Sequence, residues 1–488
     1  MPPRLDLDQL SHLPAAVVRP GFDPRRLGIG IVHLGCGAFH RAHQAMHTQA
    51  AIAARGGDWG IAAVSLRGED VPRRLAPQDG LYGVLVRGPD GDALTVVGVI
   101  RDVIGPARLA DAIAAIARPA TRIVSLTVTE KGYCRDAASG VLETAHPDIV
   151  HDIAEPGRPR SAPGLIVAGL AARRAAGAGG LAVMSCDNLP ENGVATARVV
   201  RALAERQDPS LAAWIDAQVA FPSTMVDRIV PATAPADIET VAGLLGLRDE
   251  ACVVTEPFSQ WVIEDRFPAG RPAWEAGGAE LVADVVPFEH MKLRLLNASH
   301  SMLAYLGYLA GHEFVAQAIV APGFAPLVER LWDEATPTLR VPAGVDLAAY
   351  RRRLLARFGD PQLRHRTWQI AMDGSQKLPQ RLLATIRENI AAGRPCATGA
   401  LAVAAWMRYV RGVDERGNPI DVRDPLAETF VPLRAGEPST RAAALLGIPA
   451  IFGADLAKVA GFAEAVGAWL ERLERDGAAA VVRAAAAA

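Results

Sequence analysis

The chain is poor in cysteine, with five in 488 residues, at positions 36, 134, 186, 252 and 396. None forms a C-x-x-C pair and the count is odd, which argues against a disulfide scaffold and fits a reducing compartment. No apolar run reaches roughly 18 residues, so no membrane span is expected. No basic run stands out and the net charge is -2, so nucleic acid is not the expected partner. The opening MPPRLDLDQL is acidic and lacks an apolar core, unlike a secretory leader. A cytoplasmic location is expected. None of the six tyrosines has a lysine four residues later, so the Tyr-x-x-x-Lys arrangement of short-chain dehydrogenases is missing. Grouped cysteine ligands for a catalytic zinc are missing too.

What is present is globular: half the residues are hydrophobic and 21% are charged. The length suggests about two to three domains. Strand and helix signals alternate through the first half. Strands are expected at 28–34, 60–66, 122–128 and 181–185, helices at 39–55, 107–117 and 164–177. A hairpin over 81–86 and 94–100 would turn at the segment PDGD, 89–92. Such alternation predicts an α/β fold with a Rossmann-like, doubly wound parallel sheet. After Pro287 long helical patterns take over, at 288–311, 315–333, 346–357, 378–392, 398–411 and 454–473. The expected division is residues 1–286 as the Rossmann-like domain and 287–488 as a mainly α-helical domain. The tail AAAVVRAAAAA favours helix.

The stretch GIGIVHLGCGAFHRAHQ places Gly35 and Gly37 between a strand and a helix, the setting of a dinucleotide turn. The motif is partial, because His40 stands where the third small residue of G-x-G-x-x-G belongs. After the next strand, Glu69 or Asp70 could bond adenosine ribose hydroxyls and repel the extra phosphate of NADP, favouring NAD. Arg67 beside them leaves some NADP use open. His33, Cys36, His40, His43 and His47 raise a metal alternative, but Gln44 stands where a metalloprotease-type H-E-x-x-H carries glutamate. No metal is expected; local packing of the histidines is the favoured reading.

The richest stretch is PFEHMKLRLLNASH. Lys292, Asn297 and His300 are spaced K-x4-N-x2-H and fall within roughly 140° of one helix side, with Glu289 inside the same arc. These groups suit alcohol oxidation without a metal: a base takes the hydroxyl proton and an amide holds the developing alkoxide. Burial lowers a lysine's pKa, which would let Lys292 act as base. A solvated polar face is the plain alternative, weakened by the apolar residues interleaved with it. Asn188 in CDNLPENG should lie at the carboxyl edge of the sheet. TVTEKGY offers Glu130 and a rival lysine, Lys131, and MDGSQKLPQR offers Lys377. A nucleotide-binding sensor would have no need of Lys292, Asn188 and Asn297 together.

Together, IVHLGCGAFHRAHQ, SLTVTEKGY, SCDNLPENG, FPSTMVDRIVP, EPFSQWVIEDRF, K-x4-N-x2-H and DGSQKLPQR resemble the mannitol dehydrogenase family, the polyol-specific long-chain dehydrogenases. The resemblance implies NAD as cofactor, no metal, a six-carbon polyol or sugar acid as substrate, and a monomer. It implies Lys292 as general base, Asn188 and Asn297 as amides on the reacting oxygen, and Glu289 in proton relay. His300, Lys377 and Asp227 would lie at the substrate, and Gly35, Gly37 and Phe39 at the pyrophosphate. Asp70 would bind ribose, and Glu130 would lie near the cofactor. One departure is Gln369, where mannitol dehydrogenases carry arginine eight residues before the matching lysine. This segment looks closer to the family's fructuronate reductases, and Arg364 or Arg366 in RHR could offer a cation to a carboxylate.

Overall fold

The computed structural model describes residues 2–88, 91–136 and 139–487. The chain divides into two compact units, Met1–Val285 and Val286–Ala488. Strands of the first unit are β1 (Ile29–Leu34), β2 (Gly60–Val64), β3 (Tyr82–Gly88), β4 (Gly91–Val97), β5 (Ile100–Ile104), β6 (Ile123–Leu126), β7 (Ala182–Ser185), β8 (Thr224–Asp227), β9 (Val253–Thr255), β10 (Gln260–Glu264) and β11 (Glu280–Val282). Five of them form one sheet in the order β5-β2-β1-β6-β7. Every pairing in it is parallel. From β1 the chain builds outward through β2 and β5, then returns to lay β6 and β7 on the other side. The strand order therefore reverses between β1 and β6, and ligands bind at the carboxyl ends of such a switch point.

Both faces of this sheet are covered, which is why its strands read as unbroken apolar runs. Val32, Leu34 and Val124 pack into one core with Leu165 and Val199. Ile31, Ile61 and Ile123 point the other way, into a core with Ile52, Trp261 and Trp274. The alternation of neighbours between two cores is the period of two of an extended strand.

Three expected elements are divided. The run 94–100 is two strands: β4 pairs antiparallel with β3 beside β9, and β5 joins the parallel sheet. Gly98 sits between them. Pro89 and Asp90 of the expected hairpin turn lie outside the described residues. The helix expected over 39–55 is two, Ala38–Ala42 and Gln44–Arg55, broken at His43 with φ −126° and ψ −87°. The helix expected over 315–333 is also two, Val315–Val320 and Phe324–Ala335, separated by a Pro-Gly step in which Gly323 has φ +92°.

The second unit is helical around one core that includes Leu303, Trp332, Trp406 and Phe452. Its alanine-rich tail is the helix Ala478–Ala487, with Val481 and Val482 buried against Phe324–Ala335 and Ala298–Leu309. The tail is part of the core, not an appendage. The long helix that carries the candidate residues runs from Val286 to Leu309, and its middle, Lys292–Asn297, is a π-helical turn. A second π-helical turn, Pro379–Leu383, packs against it. Among the described residues no helix is long and apolar enough to cross a membrane.

Candidate active site

In the first unit the glycine turn is tied to the neighbouring strand end. Gly35 has φ +94°, and a Cβ there would collide with the Thr127 carbonyl oxygen just past β6. Only glycine fits such a position without strain. Thr127 Oγ1 donates to the Gly35 carbonyl at 2.7 Å, and His33 Nε2 lies 2.9 Å from the same hydroxyl. Gly37 N–H closes on the Gly35 carbonyl at 2.6 Å. A Cβ at Gly37 would meet nothing nearer than that carbonyl, at 3.9 Å, so a side chain would occupy the open space before the turn. Phe39 follows in the helix Ala38–Ala42, its ring 5.0 Å from that of His43.

His40, in place of the third small residue, stacks on His33 with ring centroids 3.3 Å apart. Burial lowers the His33 pKa to about 3 and holds His40 well below its ordinary value, so both rings are neutral. The other two histidines of the stretch are engaged by backbone. His43 Nε2 lies 2.9 Å from the Gln260 carbonyl oxygen. His47 faces the Gly277 carbonyl at 2.8 Å and Ser259 Oγ at 3.0 Å, and burial lowers its pKa to about 4. Among the described residues one set has metal-ligand spacing, elsewhere: Cys134, His146 and Asp148. It is already committed. Asp148 pairs with Arg67, His146 Nδ1 accepts the Asp148 N–H at 3.2 Å, and burial pushes the Cys134 thiol up to about 11.

The two acids after β2 diverge. Asp70 opens the helix Asp70–Leu75 and pairs with Arg73, while the Glu69 carboxylate lies against Gly105 beyond β5. Glu130 and Lys131 stand exposed in the turn Glu130–Tyr133 after β6. Asn188 is exposed at the carboxyl edge of β7, and Asp227 is buried at the end of β8. The loop bearing Asn188 is braced by Asn192, which is 1% exposed. Its Nδ2 donates to the Asp187 carbonyl at 2.9 Å and the Thr224 carbonyl at 2.8 Å.

In the second unit Glu289, Lys292, Asn297 and His300 are all buried on one helix. The π turn sharpens the expected arc. An i→i+5 ladder stacks residues five apart, and Lys292 and Asn297 are five apart. They therefore share one face of the helix, nearer each other in angle than regular α-helical spacing would place them. His300 is held neutral mainly by burial, then by the neighbouring His365 ring and the positive groups Arg357, Arg381 and Lys292. The His365 ring meets it edge-on at 5.2 Å, and burial, with Lys377 and Arg381 nearby, lowers the His365 pKa to about 4. Lys377 Nζ donates to the Met372 carbonyl at 2.6 Å and the Ile370 carbonyl at 3.2 Å.

The arginines expected to supply a cation are turned elsewhere. Arg366 is exposed and pairs with Glu313 at 3.5 Å, and the Arg364 guanidinium lies over the Phe314 ring at 5.0 Å. His365, between them, is the member of RHR that faces His300. One cation beside the candidate residues is Arg381, whose Nη1 donates to Ser301 Oγ at 3.2 Å and lies 3.5 Å from the Asn297 carbonyl. Arg381 falls in the quoted DGSQKLPQR, but nothing in the spacing showed that the second π turn would bring it to Asn297.

A family model for the mannitol dehydrogenase Rossmann domain matches residues 29–276, and one for the mannitol dehydrogenase C-terminal domain matches 284–474. The chain belongs to the mannitol dehydrogenase family. As a member it is an oxidoreductase. It is 50% identical to D-mannonate oxidoreductase of Escherichia coli, over 96% of this chain and 97% of the relative. It is 41% identical to mannitol 2-dehydrogenase of Cereibacter sphaeroides, over 96% and 98%. Its fold matches a solved Pseudomonas fluorescens mannitol 2-dehydrogenase, a ternary complex with NAD and D-mannitol. The TM-score is 0.91 at 39% identity, and 99% of each chain is covered.

Proposed function

We propose that this mannitol dehydrogenase family member is an NAD-dependent oxidoreductase that interconverts D-mannonate and D-fructuronate. The observation that carries the reading is the buried row Lys292, Asn297 and His300, aligned by a π turn and accompanied by Arg381. Lys292 takes the proton of the substrate's secondary hydroxyl as its carbon is oxidised, and returns it in reduction. The Asn297 amide donates to the oxygen as negative charge develops there. Neutral His300 bonds a neighbouring hydroxyl, and Glu289, on the same helix, relays the proton. NAD, when bound, supplies the hydride acceptor. Gly35 and Gly37 form the turn that would hold its pyrophosphate: one cannot carry a side chain, and the other would block the approach with one. Asp70 or Glu69 would serve the ribose, and Asn188 and Asp227 keep the roles their family motifs imply.

Arg381 replaces Arg366 as the group we assign to the substrate carboxylate. The identity to a D-mannonate oxidoreductase and the number of cations around His300 both support an acid substrate. The second reading is oxidation of D-mannitol to D-fructose, favoured by the fold match to a D-mannitol complex. Lys292→Ala tests the chemistry common to both. It should lower kcat by about 10²–10⁴ while NADH binding persists, and near wild-type turnover would refute the assigned base.

A further inference from the structure

Thr129, just past β6, has φ +68° and ψ 166°. That region is essentially reserved for glycine, and a threonine stays there only when its surroundings hold it. The holder is visible. Asp187, just past β7, accepts the Thr129 N–H at 3.1 Å through Oδ1, and the Val128 N–H at 2.9 Å through Oδ2. The buried Tyr133 hydroxyl donates to the same Oδ2 at 2.7 Å. The backbone of Asp187 is fixed as well: its N–H points to Ser185 Oγ at 3.3 Å, and its carbonyl accepts from Asn192. One carboxylate thus clamps the β6 turn onto the β7 turn. Thr127, two residues before Thr129, is bonded to Gly35. An unbroken chain of hydrogen bonds and peptide links runs from the glycine turn through Thr127, Thr129 and Asp187 to Asn188.

We propose that Asp187 is a positioning residue that holds the strained Thr129 turn and so fixes the wall of the cofactor crevice beside Asn188. The proposal rests on the dinucleotide reading of the switch point. Asp187 does not touch the reacting atoms. It supplies acceptors only, and the three groups aimed at it are all donors, so ionised aspartate is the side chain that satisfies them.

Asp187→Asn keeps the shape but turns an amide N–H₂ towards at least one donor. We expect the Kd for NADH, read by nicotinamide fluorescence, to rise about ten-fold or more and kcat to fall with it, since small misplacements near the chemistry are costly. Adding Thr129→Gly should restore both to within about three-fold of wild type, because glycine holds that backbone conformation without a clamp. A merely structural role, or a direct proton-transfer role, predicts no such rescue. Should Asp187→Asn fail to fold alone, Tyr133→Phe removes one donor and should raise the NADH Kd by a smaller factor. Wild-type affinity and turnover in Asp187→Asn, or damage that Thr129→Gly leaves unrepaired, would overturn the proposal. Wild-type protein that binds no NADH would instead overturn the dinucleotide reading beneath it.

Discussion

At the scale of the residue, charge and its neutralisation decide what each side chain can do. His300 is buried among Lys292, Arg357, Arg381 and His365, which disfavours the second proton that would charge its ring. It can exchange hydrogen bonds with a hydroxyl but cannot neutralise a carboxylate. That task falls to a group that stays charged when buried, and a guanidinium does so with two parallel N–H donors. Arg381→Met should therefore raise KM for D-mannonate by about 10- to 100-fold, the worth of a hydrogen bond to a charged partner. KM for D-mannitol should change far less. Equal losses for the two substrates in steady-state assays would mean that Arg381 supports the helix pair and does not read the carboxylate.

At the scale of the element, two devices matter that ordinary helix patterns hide. One is the π turn, and the other is the tail helix Ala478–Ala487. Burying Val481 and Val482 stabilises the second unit by roughly 3–6 kcal/mol, at about 1.5–3 per side chain. Truncation after Asp476 should accordingly lower the urea midpoint clearly; an unchanged midpoint would contradict the assignment of the tail to the core.

Strand and helix alternation, the parallel sheet and the row of Lys292, Asn297 and His300 were legible in the sequence, because apolar periodicity reports burial directly. The π turns were not: a helix with an extra residue in one turn has the same composition as one without it. The division of 94–100 was hidden because Val96, Val97, Val99 and Ile100 are all apolar, with only Gly98 to mark the change of sheet. RHR misled for a different reason. Position along the chain gave two candidate cations, but only the fold shows that the histidine between them turns inward, while Arg381 is brought to Asn297 by helix packing. Asp187 was in a quoted motif and passed over, since its value lies in bonds to Val128, Thr129 and Tyr133, far away in sequence.

At the scale of the whole molecule, acid sensitivity follows from the buried imidazoles. Burial holds His33 at about 3, and His47 and His365 at about 4, against an ordinary 6.5. Between those values and 6.5 the unfolded chain binds protons that the folded chain refuses. Stability contributed by these neutral rings is thus complete above about pH 6.5 and is lost as pH falls towards 4. Urea midpoints should begin to drop in the upper part of that window, before most carboxylates titrate. A midpoint flat from about pH 7 to 4.5 would show that the rings are not buried neutral.

The most direct test of the central claim is a set of initial rates, followed by the absorbance of the reduced cofactor. D-mannonate and D-mannitol would be compared with NAD, and D-fructuronate and D-fructose with NADH. The account predicts a kcat/KM for the acids at least about 10-fold above that for the neutral sugars, the scale of one charged hydrogen bond. A preference for D-mannitol and D-fructose would contradict it and leave Arg381 without a carboxylate to bind.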